Sequence, residues 1–319
     1  MLRLLVRIAV AALVLVWLLG RVDLAEVGAA IARASPLAIV LATLTSFVGN
    51  VVIAFRLRVL LAAQGVRARA TQTLAINLAA FFYNLFLPVG GVGVAALRLQ
   101  RLSEHTRGRF TAALTAMDCD RLAATASLGL VGLAFWLADP HAKPRGSLLA
   151  LLIGSAAVAS LLAPRAVPHE VRRFVRELTA GAAGAWWSAA LHRFSHALGS
   201  VARIAPSALA RILAISILAQ LPGAFVFVLL GWGLDLPVPA LSMAWIRSVT
   251  VLVTILPISI GGIGVREGTL VYVMQTFGVP AHDALALSIL VFATTILAPG
   301  LLGGAIEAFH WLRGADRTS

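Results

Sequence analysis

A chain of 319 residues that is 60% hydrophobic and only 12% charged, with a mean hydropathy of +0.95, has too little polar surface to enclose a water-soluble core. Its net charge of +13 would suit a nucleic acid, but the arginines fall between apolar runs rather than in a stripe with interleaved aromatics. They report membrane topology and exclude a nucleic-acid partner.

These properties predict an all-α polytopic membrane protein, one integral membrane domain over residues 1–319. Leu4 to Gly20, behind Arg3 and Arg7, has no small-x-small cleavage site and is expected to be a first, uncleaved span. Val22 to Ala34 is polar enough for a short interfacial connection, and Leu37 to Phe55 is long enough for a second span. Arg56, Arg58, Arg67 and Arg69 then form a basic loop.

Residues 74–97 are apolar but interrupted by Pro88, Gly90, Gly91 and Gly93, and Arg98, Arg101, Arg107 and Arg109 follow. A crossing here would set two Arg-rich loops on opposite sides, against the positive-inside tendency, so a re-entrant hairpin from the cytoplasmic face is expected. Phe110 to Ala138 crosses outward and Ser147 to Ala163 returns, closing a first half over 1–163. A cytoplasmic linker over 164–211 contains the amphipathic Val171 to Ile204, suited to lie on the inner leaflet.

In the second half, 212–319, Ile212 to Gly233 crosses outward, and residues 241–278 form a second re-entrant hairpin, entered from outside. Ala284 to Leu312, bent near Pro299–Gly300, brings Arg313 and Arg317 inside. The expected architecture is about six spanning helices plus two Gly/Pro-broken hairpins in an inverted pseudo-repeat, with both termini cytoplasmic.

The two interrupted segments echo each other. Leu87 to Arg98 places Gly90, Gly91 and Gly93 as Leu256 to Gly268 places Gly261, Gly262 and Gly264, with Pro88 and Pro257 before them. Broken segments at corresponding places in two halves point to a transport site at the midplane, where freed backbone donors line a cavity. Glycines that only let helices approach closely are the plainer alternative. Arg266 and Glu267 follow the second cluster, at a depth where ionisable groups cost at least about 2.5 kcal/mol each, and serve either a headgroup or packing. Asn84, one turn before Pro88, and Ser259 add polar groups to the same segments.

Asp118 and Asp120 are about 200° apart on a helix and cannot share a metal ion. Asp118 can face Arg121, and Asp120 is left for a group on another helix. His192 and His196 lack a third ligand, and no phosphate-binding loop of the Gly-x-x-x-x-Gly-Lys type is present, so no metal or other cofactor is expected. Cys119 is alone and forms no internal disulfide.

Three places carry a family resemblance. Phe81 to Pro88 followed by Gly90, Gly91, Gly93 and Arg98, then Asp120–Arg121, then Pro257 to Gly268 with Gly261, Gly262, Gly264 and Glu267, stand in order along the chain. This pattern resembles the transmembrane region of lysylphosphatidylglycerol synthases and related flippase-like membrane proteins. An extra Val89, and Val94 and Ala95 where a glycine and an aspartate are usual, mean that no carboxylate role carries over there. The resemblance implies the lipid-translocating half, without the acyltransferase-like synthase domain, since the chain stops at Ser319.

The expected function is a flippase in a bacterial inner membrane, not an enzyme. It would move an anionic phospholipid or a polyprenyl-phosphate-linked lipid past a site of Asn84, Pro88, Gly90, Gly91, Gly93, Arg98, Asp120, Arg121, Pro257, Ser259, Gly261, Gly262, Gly264, Arg266 and Glu267. Its partners would be the membrane lipid as substrate, the bilayer and a lipid-modifying enzyme. Two alternatives remain open: a non-catalytic partner of a lipid- or glycan-modifying enzyme, and a membrane-embedded transferase.

Overall fold

Long apolar runs without water nearby must satisfy their backbone internally, and the computed structural model is accordingly helical, with no strand among the described residues. Those residues are 23–86, 97–102, 110–141, 205–255 and 264–315. Helices α1 (Leu24–Arg33), α2 (Pro36–Ala63), α3 (Ala70–Phe86) and α4 (Phe110–Ala138) precede α5 (Pro206–Leu218), α6 (Gln220–Gly233) and α7 (Ala240–Ile255). Helices α8 (Val265–Gln275), α9 (Ala281–Phe292) and α10 (Ala298–Ala315) complete the order, with a π-helical turn at Ala293–Leu297. Residues 97–102 are also helical. The spans expected at 4–20 and 147–163, and the interfacial segment at 171–204, lie outside the described residues.

Among the described residues four stretches are long and apolar enough to cross a membrane: Pro36–Ala63, Ala112–Ala138, Pro206–Gly233 and Ala281–Phe309. The first shows the inside-out logic of a lipid-facing helix. Leu37, Val40, Leu41, Leu44, Val48, Val51 and Phe55 recur at helical spacing and are exposed, whereas Ala42, Ser46, Gly49, Asn50 and Ala54 are buried. Small and polar residues thus face the bundle, where association depends on close approach and interhelical hydrogen bonds rather than on the hydrophobic effect. Helix α2 packs mainly on α6, where Gly49 meets Pro222 and Gly233 meets Ala38.

Helix α1 is capped by Asp23, whose carboxylate accepts from the Ala25 amide at 2.8 Å, and it buries Val27 and Ala30 against α9. Its polar face is tied to the same helix by Glu26 with His282 (2.8 Å) and Arg33 with Asp283 (3.7 Å).

Two boundaries differ from those read in the sequence. The expected basic loop begins only after Gly65, whose φ of +75° lets α2 end in a 6→1 bond from the Val66 amide to the Leu61 carbonyl. Arg56 and Arg58 therefore lie on α2, because the apolar run resumes at Val59–Ala63 and carries the helix through them. The outward crossing expected from Ile212 begins earlier, at Pro206, so Arg211 is helical and not part of a linker. In the last helix, expected to bend near Pro299–Gly300, a π turn at Ala293–Leu297 lies just before that proline. Proline lacks the N–H that Thr295 would otherwise receive, and the ladder widens into the π turn that ends at Leu297.

Helices α7 and α8 are separated by 256–263, which are not described, and pack on each other. Trp245, early in α7, and Phe277, just past the end of α8, bring their rings to 6.1 Å, so the chain doubles back on itself. Both belong with Leu236, Val238 and Val279 to one apolar cluster that also includes α9.

Candidate functional site

A guanidinium inside an apolar bundle must be met by a carboxylate, since an isolated buried charge costs several kcal/mol. Arg56, on the inward face of α2 beside Leu57 and Leu60, donates from Nε to Asp120 Oδ1 of α4 at 2.8 Å. Arg98, in the helical stretch 97–102, donates from Nη2 to the other oxygen, Oδ2, at 3.2 Å. Side-chain exposure is 3% for Arg56, 5% for Asp120 and 17% for Arg98, so all three are withdrawn from solvent. Two cations share one anion. These three side chains carry a net positive charge, and Arg98 Nε is buried without an acceptor among the described residues.

The second cluster is balanced. Glu267, third residue of α8, reaches back to accept from the Gly264 amide at 2.7 Å, the half of a capping box that needs no side chain at the N-cap. Gly264 has φ of +81°, a conformation that glycine adopts without a Cβ clash. The other Glu267 oxygen accepts from Arg266 Nη2 and from Ser288 Oγ of α9, the latter at 3.1 Å. Arg266 Nε also donates to Ser288 Oγ at 3.0 Å, and its guanidinium lies 5.4 Å from the Phe292 ring centre, next to the π turn. The N-terminus of α8 is thus occupied by the Glu267 carboxylate, and Arg266 is neutralised beside it.

A third cluster joins α10 to α3. Glu307 accepts from Arg101 Nη2 at 2.7 Å and from Tyr83 Oη at 3.4 Å. At the end of α4 a fourth carboxylate, Asp139, is buried and accepts from Ser242 Oγ, from Trp245 Nε1 (2.7 Å) and from the His141 amide (2.9 Å). Burial raises the Asp139 carboxyl. The bonds from Ser242, Trp245 and His141, with the nearby His141 imidazole, outweigh that and hold it below the ordinary carboxylate range. Asp139, just past the end of α4, thus acts as a buried clamp between α4 and α7.

The sequence-derived site residues divide accordingly. Arg98 and Asp120 meet in the first cluster, and Gly264, Arg266 and Glu267 in the second. Among the described residues no hydrogen bond or ion pair links the two clusters. Arg121 follows Asp120 on α4 but points about 100° away and is exposed, so it does not join the pair with Arg56. Asn84 is exposed on α3. Pro88, Gly90, Gly91, Gly93, Pro257, Ser259, Gly261 and Gly262 lie outside the described residues.

Sequence reasoning missed Arg56, Ser288 and Glu307. Arg56 carried a signal, the apolar Val59–Ala63 after it; Ser288 and Glu307 carried none, because partners from distant helices are not encoded locally. No group of His, Cys, Asp and Glu that could hold a metal occurs among the described residues. Residues 4–303 match the family model of the lysylphosphatidylglycerol synthase TM region. No curated protein matches the chain.

Proposed function

The chain belongs to the lysylphosphatidylglycerol synthase transmembrane-region family, integral membrane proteins concerned with lipid handling, and from that premise we propose that it is a lipid flippase. It moves an anionic phospholipid or a polyprenyl-phosphate-linked lipid across the bacterial inner membrane by transport, without bond chemistry. The observation that carries this reading is the excess positive charge of the Arg56–Asp120–Arg98 cluster. A headgroup phosphate crossing hydrocarbon needs a charge-assisted donor there, and the unmatched Arg98 Nε supplies one.

The element lengths support the same reading. Helices α7 and α8, at 16 and 11 residues, rise about 24 and 17 Å, short of the roughly 30 Å hydrocarbon core, and the chain doubles back between them. In this proposal they form one of two inverted re-entrant hairpins, and Glu267 holds Arg266 until a proton or headgroup displaces it.

Reconstitution tests it. Vesicles containing the protein and a labelled phosphatidylglycerol should lose leaflet asymmetry faster than empty vesicles, and Arg98→Gln should slow the exchange about tenfold, as expected for losing one charge-assisted hydrogen bond. No acceleration over empty vesicles with any of several anionic lipids would overturn the proposal.

A further inference from the structure

A groove of about 690 Å³ opens beside Val48 of α2, Pro222 and Phe225 of α6, and Leu241 and Ala244 of α7. Its walls are apolar, and Val48, Phe225 and Leu241 are exposed, so it faces the lipid side of the bundle. Its volume falls within the range of ligand pockets, roughly 300–1,000 Å³.

Arg247 sits one turn beyond Ala244, on the same face of α7. Its guanidinium lies directly on Gly223, between the groove residues Pro222 and Ala224; a Cβ at that glycine would stand 2.3 Å from the Arg247 Nε. Gln220 accepts from Arg247 Nη1 at 3.2 Å. Its own amide donates to Ser127 Oγ at 2.9 Å and to the Ala124 carbonyl at 3.1 Å, which fixes the oxygen toward the arginine. The buried arginines of the other clusters each meet a carboxylate. Arg247 forms no ion pair among the described residues, and the rest of its donor fork has no acceptor there.

A half-buried cation without a counter-charge among the described residues, on an apolar helix and beside an apolar groove, calls for an anion that brings an apolar chain with it. We propose that the groove holds an acyl chain of an anionic phospholipid whose phosphate pairs with Arg247. The planar fork suits a phosphate, and Gln220 pre-sets its orientation. This rests on the lipid-handling reading above but uses none of the residues of the Arg56–Asp120–Arg98 cluster.

The test is native mass spectrometry of the whole protein released from nanodiscs containing equal phosphatidylglycerol and phosphatidylcholine with identical chains. Wild type should retain phosphatidylglycerol in preference. Arg247→Gln should lower its retention about tenfold and leave phosphatidylcholine unchanged, Arg247→Lys should restore part of it, and Val48→Trp, which fills the groove, should lower both lipids. Arg58→Gln, an exposed arginine on α2, should change nothing. Unchanged retention in Arg247→Gln and Val48→Trp overturns the proposal, as does inorganic phosphate stabilising the protein against heat as much as phosphatidylglycerol does. A protein that retains the lipid at Arg247 yet moves none across vesicles overturns the flippase reading and leaves this site standing. One that moves lipid while Arg247→Gln retains it normally does the reverse.

Discussion

Asp120 is the residue on which the first cluster depends, because it is the anion that two guanidinium groups share. Replacing it with leucine strands Arg56 and Arg98 together, and removing one partner of a buried pair costs about 3–5 kcal/mol. Replacing Arg56 with methionine leaves Asp120 neutralised by Arg98. Thermal unfolding in detergent should therefore show a markedly larger loss for Asp120→Leu than for Arg56→Met; equal losses would mean that charge balance is not what holds the cluster. Asp139 gives a pH dependence of known sign. Its folded pKa lies below the unfolded value of about 3.9, so its contribution to stability is full above that value and disappears as pH falls through the folded one. The stability difference between wild type and Asp139→Asn should be constant near neutrality and shrink below about pH 4; a difference that persists undiminished at lower pH would contradict the clamp.

At the scale of elements, the contact between α3 and α10 depends on absent side chains. A Cβ on Gly303 would stand 2.1 Å from the Leu78 carbonyl oxygen, while Gly300 and Gly304 receive Leu85 and Phe82. Gly303→Val must push the two backbones apart, at a cost of about 1–3 kcal/mol or more, and should also weaken the Tyr83–Glu307–Arg101 tie that the approach makes possible. Gly28 in α1 is the control. A Cβ there meets nothing within 4 Å, so Gly28→Ala should raise stability by about 0.5–1 kcal/mol. Matched unfolding midpoints for the two variants would refute the packing account.

For the whole molecule the decisive question is which side each hairpin end reaches. Asp235, before α7, and Thr276, after α8, are both exposed, and the only native thiol, Cys119, is buried and silent to labelling. Cysteines placed at the two positions should react with a membrane-impermeant reagent from the same side of sealed vesicles. Labelling from opposite sides would make α7–α8 a crossing rather than a re-entrant pair.

Composition and hydropathy settled by themselves that the chain is an all-helical membrane protein, since an apolar run in lipid has few ways to satisfy its backbone. The motifs around Pro88, Asp120 and Glu267 were enough to place it in its family, because their order and spacing are properties of the chain. Which charges meet was a different matter. Arg56 with Asp120, Arg247 with Gln220 and Glu307 with Arg101 join residues far apart in sequence. Only helix packing brings them within bonding distance, and the tertiary structure alone decided which cations keep an anion and which are left needing one.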